Sequence, residues 1–212
     1  MSNVQKIHVI GLIGGIGSGK SRVAAQFRRE GALVIVGDKL GHEALHQDDI
    51  KAQLQSQWGN DILAETGEVS RAKLAQIVFA DVDQLRKLEE IVFPYITRRI
   101  TEEVTRAQSE GNFHVIVLDA AVLLESGWDS HCDWIVYVHC PANIRWQRIQ
   151  QSRNWTKEQL DQRTNAQLSL TEKVTRAHFV IDNSGDVDDL TPQVRSLLNR
   201  IEHAQPEPNP TS

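Results

Sequence analysis

The stretch GGIGSGKS, from Gly14 to Ser21, constrains the fold more than any other part of this sequence. It follows an apolar run and precedes residues 20–30, in which apolar residues recur at helical spacing. The pattern G-x-x-x-x-G-K-[ST] between a strand and a helix is typical of loops whose backbone N–H groups converge on phosphate oxygens. The dipole of the following helix also favours an anion there. The sequence therefore predicts a strand–loop–helix unit that binds a nucleoside triphosphate.

Lys20 and Ser21 complete the loop with an ammonium group and a hydroxyl. In loops of this pattern the lysine reaches the β- and γ-phosphates and the hydroxyl binds Mg²⁺. A dinucleotide-binding G-x-G-x-x-G has no register here, because a start at Gly15 places Lys20 at the last position. The Asn-Lys-x-Asp signature of a GTPase is missing from the sequence, and the Asp182-x-x-Gly185 match lies far from where a switch would be. The loop motif, without the signatures of a dinucleotide-binding protein or a GTPase, therefore favours a kinase.

Short, continuous apolar runs predict the strands of the fold. Such runs are typical of strands that are buried on both faces of a parallel sheet. Segments with helical spacing separate them, which indicates right-handed crossovers. We predict an α/β protein of the P-loop NTPase fold, with a five-stranded parallel sheet flanked by helices. The strands are expected near residues 6–13, 32–36, 113–118, 134–139 and 178–182.

The longest gap between these runs, residues 39–112, carries helical patterns and little strand signal. It is too long for a simple crossover, so we predict a helical insertion beside the sheet. Residues 143–170 are polar, basic and helical, as expected of a lid that closes over phosphates. Residues 1–203 then form a single kinase domain. The proline-rich residues 204–212 are predicted to be a disordered tail.

Composition narrows the function classes further. The 212 residues carry a net charge of −5, which argues against a general nucleic-acid surface. Since no apolar run approaches the roughly 20 residues that span a bilayer, no membrane association is expected. The two cysteines, Cys132 and Cys140, lack the paired spacing of a zinc site and are typical of a reduced, cytoplasmic protein. We expect a monomer or a weak homo-oligomer.

Two aspartates come directly after predicted strands, at the edge where open α/β sheets bind ligands. Asp38 could orient or deprotonate an acceptor hydroxyl, or it could be the N-cap of a helix that starts at Lys39. Asp119 could hold a metal, contact the acceptor, or cap the segment after it. Position alone does not decide between these alternatives.

Four blocks of the sequence resemble the dephospho-CoA kinase family. They are GLIGGIGSGKS, VIVGDKLGHEAL, DAAVLLESGWDSHCDWIVYV and EKVTRAHFVIDNSG, and they lie in the family's order and spacing over most of the chain. The loop is shared by many kinases, whereas its combination with LLESG and VIDNSG is far more specific. The resemblance implies ATP-dependent phosphorylation of the ribose 3′-hydroxyl of dephospho-CoA, the last step of CoA synthesis. It also implies Mg²⁺, a helical CoA-binding domain and a lid.

The same resemblance implies roles for individual residues. Asp38, Lys20 and Arg148 are expected to be catalytic. The metal ligands are expected to be Ser21, from the loop motif, and Asp119, from its position directly after a strand. The ATP-binding residues are expected to be Gly15, Ile16, Gly17, Ser18, Gly19, Lys20, Ser21, Arg22, Arg148, Arg153 and Asn183. The acceptor-binding residues are expected to be Asp38, Leu123, Leu124, Glu125, Arg163 and Gln167.

The sequence departs from the family pattern at several positions. Arg22 replaces a threonine after the loop serine, Phe93 replaces a histidine, and Val36 replaces the first aspartate of D-A-D. Ala121 replaces a proline. The catalytic and phosphate positions are retained, so we expect an active enzyme. The alternatives are a kinase for another small acceptor, such as a nucleoside or nucleoside monophosphate, and an inactive nucleotide-binding regulator.

Overall fold

The computed structural model describes residues 7–153 and 155–204, and within them five parallel strands form one sheet. The strands pair in the order β2-β3-β1-β4-β5, so β1 lies at the centre of the sheet. This confirms the predicted fold class and the position of each strand to within two residues. The predicted tail lies outside the described residues, except for Ala204. The strands are β1 (His8–Ile13), β2 (Leu33–Val36), β3 (Val115–Asp119), β4 (Trp134–His139) and β5 (Phe179–Asp182).

Helices cover both faces of the sheet, which explains why the strands are continuously apolar. One face packs against the first and last helices, which contribute Phe27 and Val194 to its core. The other face packs against the helices between β2 and β3, which contribute Leu54 and Ile100. The helices are α1 (Lys20–Arg29), α2 (Gly37–Ala44), α3 (Asp48–Trp58), α4 (Arg71–Val78), α5 (Val82–Glu110), α6 (Ala142–Arg153), α7 (Lys157–Asn165), α8 (Leu170–Thr175) and α9 (Leu190–His203).

The segment between β2 and β3 is helical, as the sequence predicts. The spacing of its apolar residues, however, does not show where one helix ends and the next begins. The helical spacing from Arg71 to Ile91 is divided between α4 and α5. Asp81 separates them, since its side chain accepts a hydrogen bond from the Asp83 N–H at 2.8 Å and caps the start of α5. The apolar pattern continues across this break because both helices pack on the same core.

Three helices, α6 to α8, lie between β4 and β5. Side chains define where two of them begin: Thr156 and Gln159 form a capping box at α7, and Ser169 and Glu172 form another at α8. The Glu172 side chain is thus used to cap the start of α8. Its neighbour Lys173 instead turns inward and is only 2% exposed. None of the described helices is long and apolar enough to span a bilayer.

Candidate active site

The loop between β1 and α1 adopts a conformation that needs its glycines. Gly17 and Gly19 have φ angles of 78° and 83°, in the left-handed region that residues with a Cβ avoid. A Cβ on Gly17 would lie 2.7 Å from the Arg145 carbonyl oxygen, and one on Gly19 would overlap the Asn183 amide. The loop therefore passes too close to its neighbours for any side chain at these two positions.

Two side chains from distant segments hold the loop from outside. The Asn183 Nδ2 donates a hydrogen bond to the Ser18 carbonyl oxygen at 2.7 Å. Arg148, on α6, donates to the same carbonyl at 3.3 Å and to the Asn183 carbonyl at 2.9 Å. Asn183 is 1% exposed, so this contact is shielded from water. The loop is thus tied to α6 and to the segment after β5.

Lys20, Ser21, Asp38 and Asp119 lie around a cavity of about 230 Å³ beside the loop. The Ser21 hydroxyl donates a hydrogen bond to the Asp119 carboxylate at 2.8 Å. Burial lowers the pKa of Lys20, and the negative charges of Asp119 and Asp38 oppose that effect. Burial also raises the pKa of Asp119, against the Ser21 hydrogen bond and the Lys20 charge. The cavity thus combines two carboxylates with the Ser21 hydroxyl and the Lys20 ammonium group, and arginine side chains add further positive charge to its wall.

The oxygen ligands of this cavity fit Mg²⁺. No group of three or more His, Cys, Asp or Glu side chains in residues 7–153 and 155–204 could hold a metal by itself. Mg²⁺ is nevertheless usually bound through one or two carboxylates together with substrate phosphates and water, not by an all-protein cage. Ser21 and Asp119, already joined by a hydrogen bond, supply a hydroxyl and a carboxylate of the required type.

A second, larger cavity of about 660 Å³ adjoins the first, and Lys20, Asp38 and Arg153 line both. Its walls come from α2, α4 and α5 on one side and from residues between Arg153 and Gln167 on the other. Asp38 is exposed in the first turn of α2, whose N-cap is Val36. The N-cap alternative for Asp38 is therefore wrong, and its carboxylate stands where the two cavities meet.

Known proteins share the pattern of this sequence over most of its length. A model of the dephospho-CoA kinase family matches residues 8–189. The chain belongs to the dephospho-CoA kinase family. Dephospho-CoA kinase from Bacillus licheniformis is 36% identical over 90% of this chain and 95% of its own. That from Aquifex aeolicus is 36% identical over 91% of this chain and 96% of its own.

Solved structures share the fold of this chain. The crystal structure of TT1252 from Thermus thermophilus has a TM-score of 0.77 and 30% identity, over 92% of this chain and 98% of its own. Dephospho-CoA kinase from Campylobacter jejuni shares the fold, with a TM-score of 0.67 and 21% identity over 92% of this chain and 97% of its own. The family and the P-loop kinase fold predicted from the sequence are both confirmed.

Some residues that the dephospho-CoA kinase resemblance suggested for the acceptor do lie on the larger cavity, whereas others do not. Arg163 and Gln167 line it. Leu123 and Leu124 belong to the core, with exposures of 1% and 6%, and do not line it. Glu125 is also absent from its wall, because its carboxylate accepts hydrogen bonds from the Leu168 N–H and from a buried lysine.

Three residues expected at ATP make contacts within the protein or are buried. Asn183 lies against the phosphate loop, where its Nδ2 donates a hydrogen bond to the Ser18 carbonyl oxygen. Arg22 donates to the Gly185 carbonyl at 3.2 Å and lines neither cavity. Buried Ser18 lines neither of them. The Asn183 and Arg22 bonds join the loop and the first turn of α1 to the segment after β5.

The remaining expected residues meet at the cavities. Gly15, Gly17, Gly19, Ser21 and Arg148 line the smaller one, and Ile16 lines the larger one.

Phe79 and Trp155 are not among the site residues expected from the sequence. The guanidinium of Arg163 lies 4.3 Å from the Phe79 ring centre and 4.2 Å from that of Trp155. Arg153 lies 4.7 Å from the same Trp155 ring. An aromatic residue near several arginines is the signal that could have found this arrangement.

The departure at Phe93 has a structural explanation. Its ring packs against Trp128 with a centroid separation of 5.1 Å, and the Trp128 Nε1 donates to the Thr97 hydroxyl at 2.9 Å. The pair attaches α5 to the segment after β3. The aromatic residue therefore joins the insertion to the sheet.

Proposed function

We propose that this chain transfers the γ-phosphate of ATP to the ribose 3′-hydroxyl of dephospho-CoA, which completes CoA synthesis. The observation that carries the proposal is the exposed Asp38 carboxylate at the junction of the two cavities, with Lys20 on the same junction. Membership of the dephospho-CoA kinase family supports the choice of substrates. One cavity would take the triphosphate and the other the acceptor.

The larger cavity suits an acceptor that carries phosphate groups. Its volume of about 660 Å³ lies within the usual range of small-molecule sites. Arg71, Arg153 and Arg163 contribute positive charge to its wall. Residues 39–112 would then be the acceptor-binding insertion, and residues 143–170 the lid. Both supply parts of the wall.

The reaction needs a hydroxyl in line with the phosphorus and groups that neutralise the charge of the transferred phosphoryl group. Asp38 would orient the 3′-hydroxyl and accept its proton. Lys20 and Arg153 would hold the phosphate oxygens, together with the N–H groups of the loop. Ser21 and Asp119 would hold Mg²⁺, which supplies further neutralisation of phosphate charge when bound.

We further propose that the enzyme works in the cytoplasm as a monomer or weak homo-oligomer, without nucleic-acid or membrane partners. Cys132 and Cys140 are free thiols, which suits a reducing compartment. The net charge of −5 is not that of a general nucleic-acid surface.

A coupled assay of ADP release tests the proposed function. The purified chain should consume ATP only when dephospho-CoA is present, and the product should be CoA. Nucleosides and nucleoside monophosphates, tested in parallel, should not replace it. Release of ADP with one of those acceptors and not with dephospho-CoA would refute the substrate assignment. Tight ATP binding without turnover on any acceptor would indicate a regulator.

The role of Asp38 is tested by Asp38→Asn, with Asp49→Asn as a matched control. Both aspartates are exposed in the first turn of a helix, but Asp49 lines neither cavity. We expect Asp38→Asn to lower kcat by about 10²- to 10⁴-fold, because it removes the base, and to leave ATP binding intact. Asp49→Asn should stay within about twofold of the unmodified rate. Equal rates for the two variants would remove Asp38 from the chemistry.

A further inference from the structure

Lys173 is a buried cation whose contacts lead to the acceptor cavity. It lies on α8, is 2% exposed, and its ammonium group contacts the Glu125 carboxylate at 3.0 Å and the Gln167 side-chain oxygen at 3.0 Å. Lysine is almost never buried to this extent unless it is paired. Of these three residues, Gln167 lines the larger cavity. The buried charge therefore acts directly on a side chain of the cavity wall.

The chemistry of the ammonium group determines how the Gln167 amide is oriented. An ammonium group only donates hydrogen bonds, so the oxygen of the amide has to face Lys173. The NH₂ group then lies on the other side of the amide, and among the described residues it has no protein acceptor. An unpaired donor on a cavity wall is available to a ligand. Without Lys173 either end of the amide could face the cavity.

The main chain beside Gln167 is fixed by the same carboxylate. The Glu125 carboxylate oxygen that contacts Lys173 also accepts a hydrogen bond from the Leu168 N–H at 2.8 Å. Leu168 is the residue directly after Gln167, so one carboxylate fixes the backbone while the lysine fixes the side chain. The segment that joins α7 to α8 is therefore held in place at the point where it meets the cavity.

A purely stabilising role explains this pair poorly. Removing two charges from water is expensive, and well-packed apolar residues often replace a buried ion pair at no loss of stability. The Glu125–Lys173 pair does supply something that apolar residues could not, which is a fixed donor direction at Gln167. Arg163, four residues earlier, is a second donor on the same wall, and its guanidinium is held by Phe79 and Trp155.

We propose that Lys173 is a positioning residue of the acceptor site, which orients the Gln167 amide so that its NH₂ group donates a hydrogen bond to the acceptor. The inference rests on the proposed function and adds the chemistry of one contact. The acceptor must present a hydrogen-bond-accepting atom at Gln167, such as a phosphate oxygen or a ring nitrogen. It must not present a donor there.

Gln167→Glu tests the donor. A carboxylate keeps an oxygen towards Lys173 and pairs with its charge, so the fold is retained, but the atom that faces the cavity becomes an acceptor. We expect the KM for dephospho-CoA to rise about 10- to 100-fold, because the substrate atom loses its partner and meets a like group. The KM for ATP should stay unchanged, and the melting temperature should not fall.

The positioning role is tested by the double variant Glu125→Gln/Lys173→Met, which removes both charges and avoids an unpaired buried carboxylate. We expect the KM for dephospho-CoA to rise about 3- to 10-fold, since the Gln167 amide can then turn. Gln167→Leu should raise that KM less in this background than in the unmodified chain, because the two changes affect one contact. A matched control, Glu30→Gln/Arg195→Met, removes an ion pair whose charged atoms are 2.8 Å apart. Neither residue lines a cavity, so this variant should alter neither KM.

Calorimetric binding of dephospho-CoA separates the ways in which this can fail. If the unmodified chain binds and phosphorylates dephospho-CoA while Gln167→Glu does so with an unchanged KM, the inference is wrong and the proposed function stands. If the double variant loses stability but keeps both KM values, Lys173 has only a structural role. If the unmodified chain neither binds nor phosphorylates dephospho-CoA, the proposed function fails and takes this inference with it.

Discussion

Gly19→Ala should destabilise the protein even when no nucleotide is bound. The Gly19 φ angle of 83° costs a residue with a Cβ about 1–2 kcal/mol. The new Cβ would also displace the buried Asn183 amide, whose Nδ2 donates to the Ser18 carbonyl at 2.7 Å. Leaving a buried polar group without its partner costs about 1–3 kcal/mol. The free energy of unfolding should therefore fall by roughly 2–5 kcal/mol.

Gly31→Ala is the matched control for this prediction. Gly31 has a similar φ angle of 91°, and nothing lies within 4 Å of the position that its Cβ would take. Only the backbone cost applies, so we expect a loss of about 1–2 kcal/mol. Urea unfolding of both variants without nucleotide, monitored by tryptophan fluorescence, gives the two free energies. Their difference measures the clash with Asn183.

Equal destabilisation of the two variants would refute this explanation of the loop. A second check uses Asn183→Ala, which removes the amide that the new Cβ meets. If the clash is real, Gly19→Ala should be less costly in the Asn183→Ala background than in the unmodified chain. Full additivity of the two free energies would show that the Asn183 contact does not limit residue 19.

The other predictions concern charges around the smaller cavity. Burial lowers the pKa of Lys20 below 10.5, so the charged lysine destabilises the folded state and Lys20→Met should stabilise the nucleotide-free protein at pH 7. Thermal melts should show this gain in stability vanishing as the pH rises past 10.5, because the lysine of the unfolded chain then also loses its proton. Burial raises the pKa of Asp119, so Asp119→Asn should stabilise the protein at pH 7 while reducing turnover, and melts should show the gain disappearing below pH 3.8. Arg153→Met should lower kcat/KM at least about tenfold and leave the melting temperature unchanged. Arg148→Met should lower kcat/KM too, but it also breaks hydrogen bonds to two carbonyl groups. Urea unfolding should therefore show a loss of about 1.5–3 kcal/mol in the free energy of unfolding.

The parts of this fold that are predictable from sequence are those set by local pattern. Parallel strands covered on both faces must be apolar throughout, and the phosphate loop needs glycine at fixed positions, so both leave a direct record in the sequence. The break between α4 and α5 does not, since apolar residues on either side of Asp81 pack on one core. Periodicity shows which face is buried, but it does not show where a helix ends.

The side chains of the site are harder to predict because their directions depend on distant segments. Leu123 and Leu124 belong to a family motif, yet the turn after β3 directs both into the core. Lysine is a residue type that is usually exposed, so the sequence gives no sign that Lys173 is buried. Its burial depends on contacts with Glu125, 48 positions earlier, and Gln167, 6 positions earlier. The segment of Asn183 does reach the phosphate loop, but its side chain contacts the back of that loop. Residue type and spacing identify the site, and tertiary contacts decide which atoms face it.

The contacts behind the phosphate loop explain how its N–H groups can face a ligand before one is bound. Asn183 and Arg148 both donate to the Ser18 carbonyl, which fixes the orientation of the peptide between Ser18 and Gly19. In a trans peptide the carbonyl and the following N–H point in opposite directions, so the Gly19 N–H points away from these two donors, and Gly19 itself lines the smaller cavity. A donor held in this direction needs little reorganisation when a phosphate oxygen arrives, and preorganised donors are the more effective ones. The late VIDNSG segment thus fixes the direction of one N–H of the phosphate loop, because Asn183 binds the Ser18 carbonyl of the same peptide.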